Sequence, residues 1–279
     1  MDQISRVERR WIPRYLTVGP LSLPYVTRDK AIATIRHSFV DQKQICVAFF
    51  NSNTMLHAFR SAAYARTLSR FLLLNDGLGV DLCSWLFKAR PFQHNLNGTD
   101  FVPEFLAASG AGRSVYLLGT TKEVVAESGR KLAARFPNCR IVGFHHGYFE
   151  SSDIDFIISD INAVSPDILL VGLGNPLQEQ FIEKYAERIE ARVLIGVGAF
   201  LDFAAGRVPR APKLVRSLRL EWLFRLSKEP LRLGRRYTLD AIAFLVLVLK
   251  YRFLAGGHGP TRPDVRMRLR PEPHQSNAA

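Results

Sequence analysis

The chain has 279 residues, 47% of them hydrophobic, which is enough to bury a large core and excludes a disordered protein. Its formal net charge of +13 implies anionic partners; the excess lies mostly after residue 200, which favours a local docking face over a uniformly basic nucleic-acid binder. Cys46, Cys83 and Cys139 form no CxxC pair, so neither a disulfide framework nor a zinc site is indicated and a reducing compartment is expected.

The N-terminal stretch is charged and broken by Pro13 and Pro20, without the apolar run of a signal peptide. Ile45 to Phe50 then predicts a buried strand, followed by the loop Asn51-Ser52-Asn53 and a helix from about Thr54. Asn75-Asp76-Gly77-Leu78-Gly79 precedes a helix bearing Cys83. Val115 to Leu118 is a second apolar run, followed by Gly119-Thr120-Thr121 and a helix over about 123–136; Ile141 to Phe144, Ile168 to Val171 and Val193 to Val197 are further strands. Continuous apolar strands separated by amphipathic helices are the pattern of a parallel sheet covered on both faces, and they predict a doubly wound, mostly parallel, Rossmann-like α/β domain over residues 1–205.

Residues 206–255 read as a basic, helical, membrane-binding appendage. The stretch Arg207 to Tyr237 sets ten Lys or Arg against two Glu around a leucine-rich, Trp-bearing face, and runs into the apolar segment Leu239 to Leu249. That combination suits an interface that is apolar below and anionic above, although a surface helix followed by a buried helix accounts for it as well. The apolar run Ala241 to Leu249 falls short of the roughly 20 residues needed to span a bilayer. Residues 256–279, rich in Pro, Gly and Arg, are expected to be disordered.

In doubly wound sheets, ligands sit beyond the carboxyl ends of the strands, so the loops after the apolar runs are the places to look for chemistry. Asp76 can serve there as a general base, with Gly77 and Gly79 letting the backbone turn closely around a ligand; an ordinary Asn-Asp-Gly turn is the alternative. Gly119 to Glu123 opens a helix whose N–H groups can bind phosphate or can simply be capped by hydroxyls. Gln178 and Glu179 follow Pro176 on a first helical turn, placed to bond sugar or ribose hydroxyls or to cap. Gly172-Leu173-Gly174 lacks the third glycine of a dinucleotide fingerprint, which argues against a nicotinamide-dependent oxidoreductase. His145-His146 ends a strand without a third ligand at suitable spacing, so no metal site is expected.

Together these segments resemble the bacterial WecG/TagA/CpsF glycosyltransferases, glycosyltransferase family 26. The residues that carry the resemblance are Asn75 to Gly79, Asn97-Gly98-Thr99-Asp100, Val115 to Gly119, Pro166 to Glu179, Gly196 to Phe203, and Arg210-Ala211-Pro212 through Leu220-Glu221-Trp222 to Glu229-Pro230. They follow the family's order over about residues 45 to 237, which is far more specific than any one motif.

The resemblance implies inverting, metal-independent transfer of a sugar from a UDP-sugar to a sugar carried on a polyprenyl pyrophosphate at the cytoplasmic membrane face, here of the exopolysaccharide type, with no cofactor. It puts the general base at Asp76. Donor and acceptor contacts fall on Asn51, Asn53, Asn75, Gly77, Thr99, Asp100, Gly119, Gly174, Asn175, Gln178, Glu179 and Asp202. Phosphate or lipid contacts fall on Arg210, Arg225, Arg232, Arg235 and Arg236, whose planar guanidinium groups suit phosphate oxygens. Two departures stand out: Phe50 where many members have Thr, which moves a donor contact to Asn51 or Asn53, and Asn95 where many have Arg, which removes a phosphate contact. The competing reading is a non-catalytic nucleotide- or lipid-binding partner in a polysaccharide assembly complex. The oligomeric state stays open, a homo-oligomer included.

Overall fold

The computed structural model describes residues 14–88, 90–109, 112–212, 215, 221–228, 234, 239–253 and 268–269. A short antiparallel hairpin comes first, β1 (Tyr15–Val18) with β2 (Leu21–Pro24). Then follow α1 (Arg28–Val40), β3 (Lys43–Phe50), α2 (Ser52–Arg60), α3 (Ala62–Leu68), β4 (Leu72–Asn75), α4 (Leu78–Lys88) and α5 (Gly98–Ala108). The second half carries β5 (Arg113–Gly119), α6 (Lys122–Arg135), β6 (Cys139–His145), α7 (Ile154–Ala163), β7 (Ile168–Gly172), α8 (Leu177–Tyr185), β8 (Val193–Gly196) and α9 (Phe200–Ala204). Beyond these lie α10 (Glu221–Lys228), α11 (Leu239–Phe253) and the two-residue strand β9 (Arg268–Leu269).

Six strands form a parallel sheet in the order β4-β3-β8-β7-β5-β6, the doubly wound architecture expected from the sequence. The apolar runs are continuous because alternate residues feed two cores, one on each face of the sheet. Ile168, Leu170, Val193 and Ile195 enter one core, with Phe101 and Phe105 of α5 and Val125 of α6. Leu169, Val171, Leu194 and Phe50 enter the other, with Met55 of α2, Tyr64 of α3, Val80 and Cys83 of α4 and Ile182 of α8. Gln44 ties β3 to the segment before β8: its buried Nε2 donates to the carbonyls of Ala186, Ile189 and Ala191 at 2.9–3.0 Å.

The connections leaving the adjacent strands β3 and β8 part to opposite faces. α2 packs into the first-strand side with Met55 and Ala58, whereas α9 packs into the other core with Phe200 and Leu201. That divergence opens a crevice at the carboxyl edge between β3 and β8, the usual ligand position in open α/β sheets.

Helix α11 lies against the α/β domain. Phe244 and Val248 are buried in the core on the α2 and α4 side, and Tyr251 stacks on Phe59 with ring centroids 4.6 Å apart. Its 15 residues rise about 22 Å, short of the roughly 30 Å hydrocarbon core of a bilayer, and no described helix is long and apolar enough to cross a membrane. Of the tail expected to be disordered, Arg268 and Leu269 pair antiparallel with Gln44 and Lys43; residues 256–267 and 270–279 lie outside the described residues.

Candidate active site

The crevice widens into a cleft of about 1240 Å³. This exceeds the roughly 300–1,000 Å³ typical of a site for one small ligand, leaving room for two substrates side by side. Its floor comes from loops at the carboxyl ends of β3, β4, β7 and β8, represented by Asn51 and Asn53, Asp76 and Gly77, Gly174 and Asn175, and Gly196 to Phe200. One wall is the start of α5, with Gly98, Thr99 and Asp100; the other is α4 with part of α11. Strands β3, β4 and β7 each feed a helix at this edge, and the opening turns of α2, α4, α5 and α8 reach the lining, where the N–H groups of a helix start favour an anion.

Asp76 sits half-buried on this floor, one residue past β4. Its backbone N–H donates to Phe50 O at 2.9 Å, and its Oδ2 accepts from Asn51 Nδ2 at 3.3 Å. Asn51 has two jobs, since its Oδ1 caps α2 by accepting from Thr54 N at 3.1 Å while its amide orients the carboxylate. Gly77 turns the chain with φ +87°, and its N–H donates to Asn95 Oδ1 at 2.9 Å. Asn95 therefore holds the Asp76–Gly77 turn in place, and it lines the cleft as well.

A second polar cluster lies under α8. Glu179 is fully buried, 0% exposed, and its two oxygens accept from Tyr64 Oη at 2.9 Å, Asn175 Nδ2 at 2.6 Å and Gln178 Nε2 at 2.7 Å. Burial pushes its carboxyl above the ordinary glutamate range, and the three donors pull it partly back. Gln178 in turn accepts from Gly198 N–H at 2.9 Å. The buried carboxylate thus fixes two amides, Asn175 and Gln178, that face the cleft.

The structure gathers Asn51, Asn53, Asp76, Gly77, Thr99, Asp100, Gly174, Asn175 and Gln178 around one cavity. Four other residues singled out in the sequence lie off its lining. Glu179 is beneath the floor, and Asn75 is buried with Nδ2 donating to His94 O at 2.7 Å. Gly119 is packed so tightly on β7 that a Cβ there would come within 2.5 Å of Gly172 O. Asp202 accepts from Thr120 Oγ1 at 2.9 Å, which anchors the β5 loop. Arg210 reaches the cleft's edge, donating to Asp100 Oδ1 at 2.8 Å and to Thr99 O at 3.4 Å. The side chain of Arg225, and Arg232, Arg235 and Arg236 altogether, lie outside the described residues.

Arg28, His94, Asn97, Glu221 and Asp240 also line the cleft, and the sequence reading passed over them. Two of them carried a signal, Glu221 within Leu220-Glu221-Trp222 and Asn97 as the first residue of the Asn-Gly-Thr-Asp motif; Asn97 caps α5, accepting from Asp100 N at 3.0 Å. Among the described lining residues, Asp76, Asp81, Asp100, Glu221 and Asp240 face a single guanidinium, Arg28. No group of His, Cys, Asp and Glu suited to a metal ion occurs among the described residues.

A doubly wound sheet with a carboxylate-lined cleft at its switch point is a place where such folds bind ligands, and residues 11–256 match the family described as Glycosyl transferase WecG/TagA/CpsF. The chain belongs to that family and is a glycosyltransferase. It is 31% identical over 231 residues to an N-acetylglucosaminyldiphosphoundecaprenol N-acetyl-beta-D-mannosaminyltransferase of Bacillus subtilis (strain 168), covering 81% of this chain and 89% of the relative. A protein of the same name from Staphylococcus aureus (strain MW2) is 29% identical over 228 residues, covering 80% of this chain and 89% of the relative.

Proposed function

We propose that this glycosyltransferase moves a sugar from a UDP-sugar to a monosaccharide held on a polyprenyl diphosphate, with inversion, in exopolysaccharide or other cell-surface polysaccharide assembly at the cytoplasmic membrane face. The observation that carries the reading is Asp76, a half-buried carboxylate oriented by Asn51 on the floor of a cleft large enough for donor and acceptor together. In this reading Asp76 takes the proton of the acceptor hydroxyl as that oxygen attacks the anomeric carbon. The bond from that carbon to the donor's diphosphate oxygen breaks, and UDP leaves with the electron pair. Inversion follows because base and leaving group act on opposite faces of the sugar.

Asn53, Thr99, Gly174, Asn175 and Gln178 then contact the sugars and nucleotide, and the helix N-termini at the cleft floor face the diphosphates. The relatives' names point to N-acetylmannosamine as donor sugar and to diphosphoundecaprenol-linked N-acetylglucosamine as acceptor. A hexosyl donor is the alternative. Further positive charge for the leaving group is assigned to the arginines of residues 207–237, with the same segment meeting anionic lipid.

The test is mass spectrometry of products from a panel of UDP-sugars with a polyprenyl-diphosphate-linked monosaccharide, comparing wild type with Asp76→Asn. Addition of one sugar by wild type, reduced about 10²–10⁴-fold by the substitution, is the expected result. Full activity in Asp76→Asn would remove the base assignment. Absence of product from every donor would favour a non-catalytic binding partner.

A further inference from the structure

The apolar wall of the cleft does not stop at its mouth. On α4, Leu78, Leu82 and Trp85 recur at helical spacing and share one face; Leu82 is 41% and Trp85 60% exposed. On α11, Ile242, Leu245, Val246, Leu249 and Phe253 form a second exposed stripe, with Val246 at 58%. The two helices lie side by side and run in the same direction: a Cβ on Gly79 would sit 3.4 Å from the Phe244 ring, and Arg252 Nε donates to Leu86 O at 3.2 Å. Leu78, Leu82, Trp85 and Leu245 belong both to the cleft lining and to these exposed stripes, so the track begins inside the cleft and continues outside it. The facing wall, with Arg28, Thr99 and Asp100, is polar.

We infer that the paired faces of α4 and α11 seat the isoprene units nearest the diphosphate of the lipid-linked acceptor, which deepens the functional reading above and rests on it. A cleft with one polar wall and one apolar wall that extends outward fits an amphiphile whose head enters and whose hydrocarbon lies along the track. The distribution of charge separates this occupant from the bilayer surface. No Lys or Arg occurs on α4 before Lys88 or on α11 before Lys250, so the track from Leu78 to Trp85 and from Ile242 to Leu249, inward of Lys250 and Arg252, lacks the interleaved cations that hold a segment at an anionic lipid interface.

Two measurements on the full chain test the inference. The first compares acceptors that carry the same sugar diphosphate on a long polyprenyl chain or on a short prenyl chain. Trp85→Ser and Val246→Ser should each lower the long-over-short ratio of kcat/KM by about tenfold, the value of withdrawing one large apolar side chain from a buried contact. An equal fall on both acceptors, or no change in the ratio, overturns the inference; so does loss of vesicle binding with the ratio intact, which would make the track a bilayer contact. The second uses a benzophenone-bearing geranylgeranyl diphosphate without donor, and reads labelled peptides. Labelling within 78–88 and 239–253 supports the inference even if no sugar is transferred to any acceptor, in which case only the catalytic reading fails. Labelling elsewhere, with transfer intact, overturns the inference and leaves the catalytic reading standing.

Discussion

Tyr64→Phe removes one oxygen atom from the protein's interior and tests how the cleft is held in shape. Tyr64 is buried, and its hydroxyl supplies one of three hydrogen bonds to the fully buried carboxylate of Glu179. A hydrogen bond to a charged group contributes about 1.5–3 kcal/mol, and leaving a buried carboxylate short of a donor places the loss at the upper half of that range. The effect depends on pH. Burial raises the folded-state pKa of Glu179 above the unfolded value of about 4.3, so the folded state binds the proton more tightly. The stability linked to Glu179 is therefore fully present below that unfolded value and is lost as pH rises through the raised folded pKa. The Tyr64 hydrogen bond lowers that pKa; without it the pKa climbs further and the loss continues to higher pH. Urea denaturation should thus show Tyr64→Phe to be destabilised more at pH 8 than at pH 4, by up to about 2–3 kcal/mol. The same variant should lose kcat/KM, because Asn175 and Gln178 are oriented through Glu179. A penalty equal at both pH values, or smaller at pH 8 than at pH 4, would refute the claim that the Tyr64 hydroxyl favours the ionised form of Glu179.

Other substitutions separate structural from catalytic loops. Gly119→Ala should destabilise by more than about 3 kcal/mol in thermal or urea unfolding, since its Cβ would meet the Gly172 carbonyl at 2.5 Å, backbone against backbone. Gly77→Ala meets nothing within 4 Å and carries only the strain of φ +87°, about 1–2 kcal/mol, so its main effect should be on turnover through the displaced Asp76. Asn95→Ala removes the acceptor for Gly77 N–H and should lower kcat about tenfold or more with folding near normal by circular dichroism. Replacing Arg232, Arg235 and Arg236 together by Ala should weaken sedimentation with acidic vesicles and flatten its salt dependence; unchanged binding would reject the basic segment as a lipid contact.

The sheet was legible because its strands are buried on both faces. Ile168 to Val171 and Val193 to Ile195 are uninterrupted apolar runs, whereas the β1–β2 hairpin is broken by Gly19 and Pro20 and β4, Leu72–Asn75, runs straight into the Asn-Asp-Gly turn, and neither was singled out. The site was legible where it depends on strand ends. Asn51, Asp76 and Asn175 follow directly from the rule that ligands sit beyond the carboxyl edge. Strand order was not legible, and it decides which loops take part. β5 lies two strands from β8, about 10 Å along the sheet, so Gly119 and the α6 N-terminus fall outside the cleft despite a phosphate-like sequence. Helical phase was also hidden. Gln178 and Glu179 are adjacent, about 100° apart around α8, and only the packed structure shows that both are buried, Gln178 at the cleft lining and Glu179 beneath it. Arg28, Glu221 and Asp240 arrive from segments remote in sequence, which no local pattern joins to the β4 loop.

The charge pattern of the cleft bears on how the chemistry is divided along the chain. Its described lining sets five carboxylates against Arg28, and two nearby arginines are already engaged, Arg210 with Asp100 and Arg60 with Asp240 at 3.7 Å. Such a lining favours a proton acceptor and sugar hydroxyls, but it repels the diphosphates that both proposed substrates carry. Helix N-termini offset part of that repulsion, each with a fraction of a unit charge. The remainder has a source in the eight Lys and Arg of residues 213–237, which follow on the described edge at Arg210. On this division the α/β domain supplies the base and the shape of the site, and the basic segment supplies charge. A segment that also binds anionic lipid would then bring that charge to the cleft when the enzyme is at the membrane, where a lipid-linked acceptor is found.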